Sequence, residues 1–384
     1  MLRSLGILPR TSDQTLSLDK ISLPNASHNS RYIPIIMCVV SMLIAISTLM
    51  MYSAGGKSLV IAHLKKVAVI LALFWTICQL NIHHLRRLSW PIYLISCLLL
   101  LTVALFGHVG KGAQRWISLS GFHFEPSELM KLALPVIIVN IIDKHREFSI
   151  NTLIQVCAVS LIPVVLILKQ PDLGTASVIM IISGCTLFLN GLPRRIIIGT
   201  ALLFSALTPV FWSMMHTYQK MRVLNLLHAN FDPQNTGYHI HQSMIAIGSG
   251  GLFGKGYGYG SQVQLDFLPE HTTDFIFAHI AEEFGFCGCV LLLSLFIALI
   301  TTLLSAAQKI DHFWARGVVQ AVAIYIGVST LINVGMVIGL LPVVGVPLPF
   351  ISRGGSHLLL SMLGIAMVLV CIRFAQKDLR YKKD

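Results

Sequence analysis

With only 16 Asp and Glu in 384 residues, each carboxylate beside an apolar stretch is a candidate for chemistry. The sharpest is Asp274, in Phe267-Leu268-Pro269-Glu270-His271-Thr272-Thr273-Asp274-Phe275-Ile276-Phe277-Ala278, where a polar stretch becomes a long apolar run. Desolvation at such a border favours the protonated form of a carboxylate, which suits a general base. Thr273 or Asp274 also fits a helix N-cap, and the residues alone leave both roles open. Glu282 lies eight residues on, about 12 Å along a helix, too far to share one small site with Asp274. Glu282 and Glu283 are therefore expected to pair within a helix bundle.

Glu128 and Lys131 follow Pro126, a residue suited to the first turn of a helix. Three positions apart, they share one face and can pair, either as a structural ion pair or as the wall of a polar cavity. Asp172, in Lys169-Gln170-Pro171-Asp172-Leu173-Gly174-Thr175, is placed to cap the helix that follows it. Seven of the thirteen residues from Gly248 to Gly260 are glycine. A nucleotide P-loop is rejected there: Gly250 precedes Gly254-Lys255 by one residue too few, and Gly256 stands where Ser or Thr is required. Exposed amides with Lys255, Arg222 and Arg115 can hold a pyrophosphate, and a flexible spacer without a ligand fits equally well. The histidine pairs His239/His241 and His83/His84, and His271, lack companions at zinc-ligand spacing.

These groups must be positioned by elements suited to lipid. Apolar residues make up 55% of the chain and charged residues 11%, against about 25% charged in soluble domains, which excludes a single water-soluble globule. Apolar runs bounded by charge or Gly/Pro give about ten expected transmembrane helices, near 33–54, 64–82, 90–107, 126–142, 152–168, 174–192, 196–214, 275–307, 317–340 and 356–373. The fold class is all-α and polytopic, with tails at 1–31 and 375–384 around a membrane domain at 32–374. A long extracytoplasmic loop, 215–274, separates helices seven and eight, and long loops are where function concentrates.

An even number of spans puts both termini on one side. The segments on that side hold 17 of the 28 Lys and Arg but 7 of the 16 acids, so the positive-inside rule makes the termini cytoplasmic. The net charge of +12 is thus mainly a topology signal rather than a nucleic-acid footprint. All eight Cys fall in apolar stretches, which argues against a disulfide framework or a zinc site. The polar first 31 residues make the first span its own insertion signal. Neither a fixed-period repeat nor a matching pair of broken helices is visible, which weighs against a transporter built from inverted repeats.

Taken together, six ordered motifs resemble the SEDS family, the shape, elongation, division and sporulation proteins that include RodA and FtsW. They are G-K-G-A-Q-R-W-I (110–117), F-E-P-S-E-L-M-K (124–131), Q-P-D-L-G-T (170–175), G-Y-H-I-H-Q-S-M-I-A-I-G-S-G-G (237–251), F-L-P-E-H-T-T-D-F-I-F-A (267–278) and L-P-V-V-G-V-P-L-P-F-I-S-R-G-G-S (341–356). The last is closer to the RodA branch. One position departs: Arg353 stands where the family usually has Tyr. The resemblance implies a peptidoglycan glycosyltransferase that polymerises lipid II on the outer face of the bacterial inner membrane during elongation, with Asp274 as its catalytic carboxylate. It also implies a functional place for Glu128 and Lys131 and a divalent cation such as Mg or Mn; for such a reaction the cations Arg115, Arg222 and Lys255 are the candidates to stabilise the leaving pyrophosphate, by their charge and not by the resemblance. The implied partners are a class B penicillin-binding protein and the elongation complex. A lipid II flippase and a non-catalytic scaffold of that complex are the alternative readings.

Overall fold

The computed structural model describes residues 31–106, 108–110, 113–119, 122–145, 149–215, 220–221, 224, 236–265 and 267–381. The first element, α1 (Tyr32–Cys78), contains two non-helical residues, Gly55 (φ −153°) and Gly56 (φ 64°). Ser47 Oγ and His63 Nε2 lie 3.4 Å apart across that point, whereas sixteen residues of straight helix would separate them by about 24 Å. The element is therefore a helical hairpin folded at a glycine pair, and its two arms coincide with the first two expected spans. The left-handed backbone at Gly56 is open to glycine at little steric cost.

After α2 (Ile82–Phe106) the chain forms a small antiparallel sheet, β1 (His108–Gly110), β2 (Ala113–Leu119) and β3 (Phe122–Phe124), in the order β1-β2-β3. These short strands add to the expected helices; between long apolar runs, three- and seven-residue segments give too little alternation to register. Next come α3 (Pro126–His145), α4 (Ile150–Lys169), α5 (Leu173–Leu189) and α6 (Arg194–Met214). Helix α3 is buried on all faces, between α2, α4, α5, α10 and α11, as expected of a helix apolar all round. The long segment before residue 275 contains α7 (Thr236–Gly250) and the single turn α8 (Ser261–Gln264). The chain ends in α9 (Ile276–Gln308), α10 (Phe313–Val337) and α11 (Gly355–Tyr381).

Among the described residues, six helices, α1, α2, α4, α9, α10 and α11, are long and apolar enough to cross a membrane. Large apolar side chains such as Trp75, Phe106, Ile297 and Leu331 face outward, a surface that only lipid or a partner can cover. The protein is a multi-pass membrane protein. One core centres on α1, α9, α10 and α11, and a second on α2 to α5.

Helix α9 is interrupted at Gly285 (φ 64°, ψ −162°), and the glycine-rich run fills the gap. In an unbroken helix the Phe286 and Cys287 amides would bond to the Glu282 and Glu283 carbonyls. They donate instead to Gly251 O (2.9 Å) and Leu252 O (3.0 Å), while Lys255 N and Gly256 N donate to the freed Glu282 O (2.9 Å) and Glu283 O (3.1 Å). Four bonds between loop and helix replace two helical ones, so the amides of Phe286 and Cys287 and the carbonyls of Glu282 and Glu283 all keep a partner. Together with the Gly55-Gly56 fold, this gives two helices carrying non-helical glycines, where the sequence showed no matching pair.

Candidate functional site

Asp274 lies in a tight turn ahead of α9 and is partly buried. Glu270 opens the turn with φ 58°, and its carbonyl accepts from the Thr273 amide (3.0 Å) and the Phe275 amide (3.2 Å). Its carboxylate accepts from Thr273 Oγ1 at 2.6 Å. The carbonyls of Thr272, Thr273 and Asp274 are each held from α10 or from the 341–354 segment that leads into α11. Arg353 N donates to Thr272 O at 2.7 Å, Ser352 Oγ to Thr273 O at 2.6 Å, and Asn333 Nδ2 to Asp274 O at 2.9 Å. Asn333 Nδ2 also donates to Val346 O at 2.8 Å, tying α10, the 341–354 segment and the Asp274 turn together. The N-cap position falls to Phe275, one residue beyond the two candidates, and Phe275 makes no side-chain cap. Three successive anchored carbonyls fix the backbone from which the Asp274 carboxylate projects, as a group that must meet a substrate requires.

Glu128 and Lys131 form an ion pair in the first turns of α3, with both residues buried. The pair is a triad: His357 Nδ1, from α11, lies 3.0 Å from the second Glu128 oxygen, and His357 is itself 3% exposed. Metal-ligand spacing in the sequence leaves His357 unmarked. Its signal was position, one residue beyond the last resemblance motif. Segment 348–357 thus reaches both centres, gripping the Asp274 turn through Ser352 and Arg353 and Glu128 through His357.

The other expected cations fare differently. Lys255 pairs with the buried Glu282 at 2.7 Å, and the same Glu282 oxygen accepts from Ser261 Oγ and Gln262 N. Glu283 accepts from Ser53 Oγ of α1 and from Gly258 N, with His279 Nε2 at 3.1 Å. The two glutamates do pair within the bundle, as expected, and lock the glycine-rich run onto α1 and α9. Arg115 is described only as a position on β2, and Arg222 lies outside the described residues. Asp172 caps α5, accepting from Thr175 N at 3.0 Å.

The chain matches the family model for FtsW, RodA and SpoVE, described as cell cycle proteins, over residues 29–377. It is 40% identical over 342 residues to the peptidoglycan glycosyltransferase MrdB of Escherichia coli K12, covering 88% of this chain and 92% of that protein. It is 35% identical to a probable peptidoglycan glycosyltransferase FtsW of Trichlorobacter lovleyi, over 74% of this chain and 75% of the relative. Among solved structures, a chain from a peptidoglycan synthase complex superposes with a TM-score of 0.77 at 28% identity, covering 88% of this chain and 96% of that one. The rod shape determining protein RodA of Thermus thermophilus superposes at 0.67 with 27% identity, covering 88% and 95%.

Proposed function

The chain belongs to the FtsW/RodA/SpoVE family of cell cycle proteins and is a peptidoglycan glycosyltransferase, and we propose that it polymerises lipid II with Asp274 as general base. Asp274 takes the proton of the acceptor sugar's 4-hydroxyl as that oxygen bonds to C1 of the donor. The bond from C1 to the pyrophosphate breaks, and undecaprenyl pyrophosphate leaves with the electron pair. The chemistry needs no nucleotide, since the leaving group is already attached to the donor. Carrying this reading is the anchored turn, in which Ser352, Arg353 and Asn333 hold three consecutive carbonyls ending at Asp274.

Among the described residues no three His, Cys, Asp or Glu side chains converge on one point, so these residues supply no metal cage. A divalent cation fits only as Mg commonly binds, through one or two carboxylates and the substrate's phosphates. The likeness to a chain of a peptidoglycan synthase complex supports a class B penicillin-binding protein as partner, acting within the elongation complex, where its transpeptidase would crosslink the new strands. The charge asymmetry supports cytoplasmic termini and an outward-facing Asp274 turn in the bacterial inner membrane.

The test is glycan synthesis by purified protein supplied with lipid II and the partner. Asp274→Asn keeps the side chain's size and removes its basicity, so the rate falls by about a hundredfold or more while the melting temperature stays within a few degrees. Glycan chains made by Asp274→Asn at the wild-type rate would remove Asp274 from the chemistry. Scrambling of lipid II in liposomes with no chains formed would point to the flippase.

A further inference from the structure

Between the second arm of α1 and the segment leading into α11 lies a small cavity with an uneven lining. Its polar wall is His63, Lys66 and Arg353, its apolar wall includes Leu59, Ala62 and Leu358, and no carboxylate faces it. Among the described residues, neither Lys66 nor Arg353 stands within ion-pair distance of an acid. His63 is 6% exposed and is held beside Ser47 (3.4 Å), which donates its own proton to Ile351 O at 2.7 Å. Arg353 is fixed through its backbone, whose amide bonds to Thr272 O, two residues from Asp274.

We propose that His63, Lys66 and Arg353 form a seat for a phosphoryl group carried on a lipid, beside the Asp274 turn. Basic groups gathered around one cavity without a counter-charge repel one another, and an anion relieves that repulsion most strongly where water is scarce. An ammonium beside a guanidinium fork suits phosphate oxygens. The bearer of the phosphate is an amphiphile because Ile61 and Leu64, on the same arm, lie exposed on the apolar outer surface. Of the cations expected to meet a pyrophosphate, Lys255 is already neutralised by Glu282, whereas Lys66 and Arg353 have no such partner among the described residues. Arg353 replaces the Tyr usual in the family, so the seat adds affinity particular to this chain. The proposal rests on the Asp274 reading only for the seat's position next to the reacting groups.

Binding is measured on the purified full chain in detergent with two probes, undecaprenyl diphosphate and phosphatidylglycerol. The variants are Arg353→Tyr, Lys66→Met and the double variant. Each single variant weakens undecaprenyl diphosphate about tenfold and the double variant more, with the loss shrinking as salt is raised. The KM for lipid II rises in parallel with the loss of affinity. Weakening confined to phosphatidylglycerol would also support the phosphoryl seat and assign it to a bilayer lipid. Unchanged affinity for both probes in a double variant that melts like the wild type overturns the proposal. Asp274→Asn separates the two claims, because it abolishes synthesis and leaves undecaprenyl diphosphate bound; a catalytically active Asp274→Asn would sink the base assignment and leave the binding result standing.

Discussion

Lys131 is 1% exposed, one of the largest fully buried side chains among the described residues, and its charge is tolerable there only because Glu128 meets it, while the other Glu128 oxygen faces His357. Removing one member of a buried pair strands the other charge and costs about 3–5 kcal/mol, whereas replacing both by apolar groups of similar volume is often neutral. Lys131→Met and Glu128→Leu are therefore each expected to lower the melting temperature in detergent, with the double variant recovering most of that loss. Glycan synthesis by the double variant should not recover. This split separates the two roles left open for the pair, and recovery of both would make it a purely structural bridge. The sequence already indicated that Glu128 and Lys131 share a helical face, because three-residue spacing settles that. It could not indicate the third member, since His357 arrives from another helix 229 positions away. Lys255 shows the opposite limit: its partner Glu282 had been noted as a bundle group, yet nothing local joined the two.

At the scale of elements, the glycine-rich run was legible as backbone that can come close to something, and misleading as to what. Both readings, a cradle for an anion and a spacer, looked for a partner outside the chain or none at all. The partner is the backbone of α9 about thirty residues on, and no propensity or periodicity marks a helix that opens to admit a loop. Steric fit makes the glycines testable one at a time. A Cβ on Gly254 would lie 2.1 Å from Glu283 O, and one on Gly285 would lie 2.3 Å from Gly254 N. Both residues also have left-handed backbones, at φ +81° and +64°, where an L side chain adds strain of about 1–3 kcal/mol. Gly254→Ala and Gly285→Ala should each lower the melting temperature by several degrees and expose the run to protease. Gly248→Ala, in the same run but with nothing within 4 Å of its Cβ, should match the wild type. Equal melting of all three would mean that the loop does not complete the helix.

For the whole molecule, each of the ten apolar segments found in the sequence coincides with a helix or with one arm of the α1 hairpin. Apolar length alone carries that much, because in lipid a chain has few alternatives to the helix. The small sheet and the helices within 215–274 were not legible, being short elements set by tertiary packing. Orientation follows from a different signal. The Lys and Arg surplus lies almost wholly in one set of connecting segments, which also includes both tails, and such charge resists translocation. Arg86 joins Asp143 at 2.6 Å, and the Phe374 ring meets His83 and His312, so residues from four of those segments meet at one end of the bundle, as they must if they share a face. With the termini cytoplasmic, as proposed, the Asp274 turn would lie on the other face, where lipid-linked donors need no nucleotide. A green fluorescent protein fused after Asp384 should therefore fluoresce, and alkaline phosphatase fused there should be inactive. Phosphatase fused after Asn230, within the long loop, should be active. An active phosphatase at the C-terminus would invert the chain and place Asp274 on the cytoplasmic side, away from the growing wall.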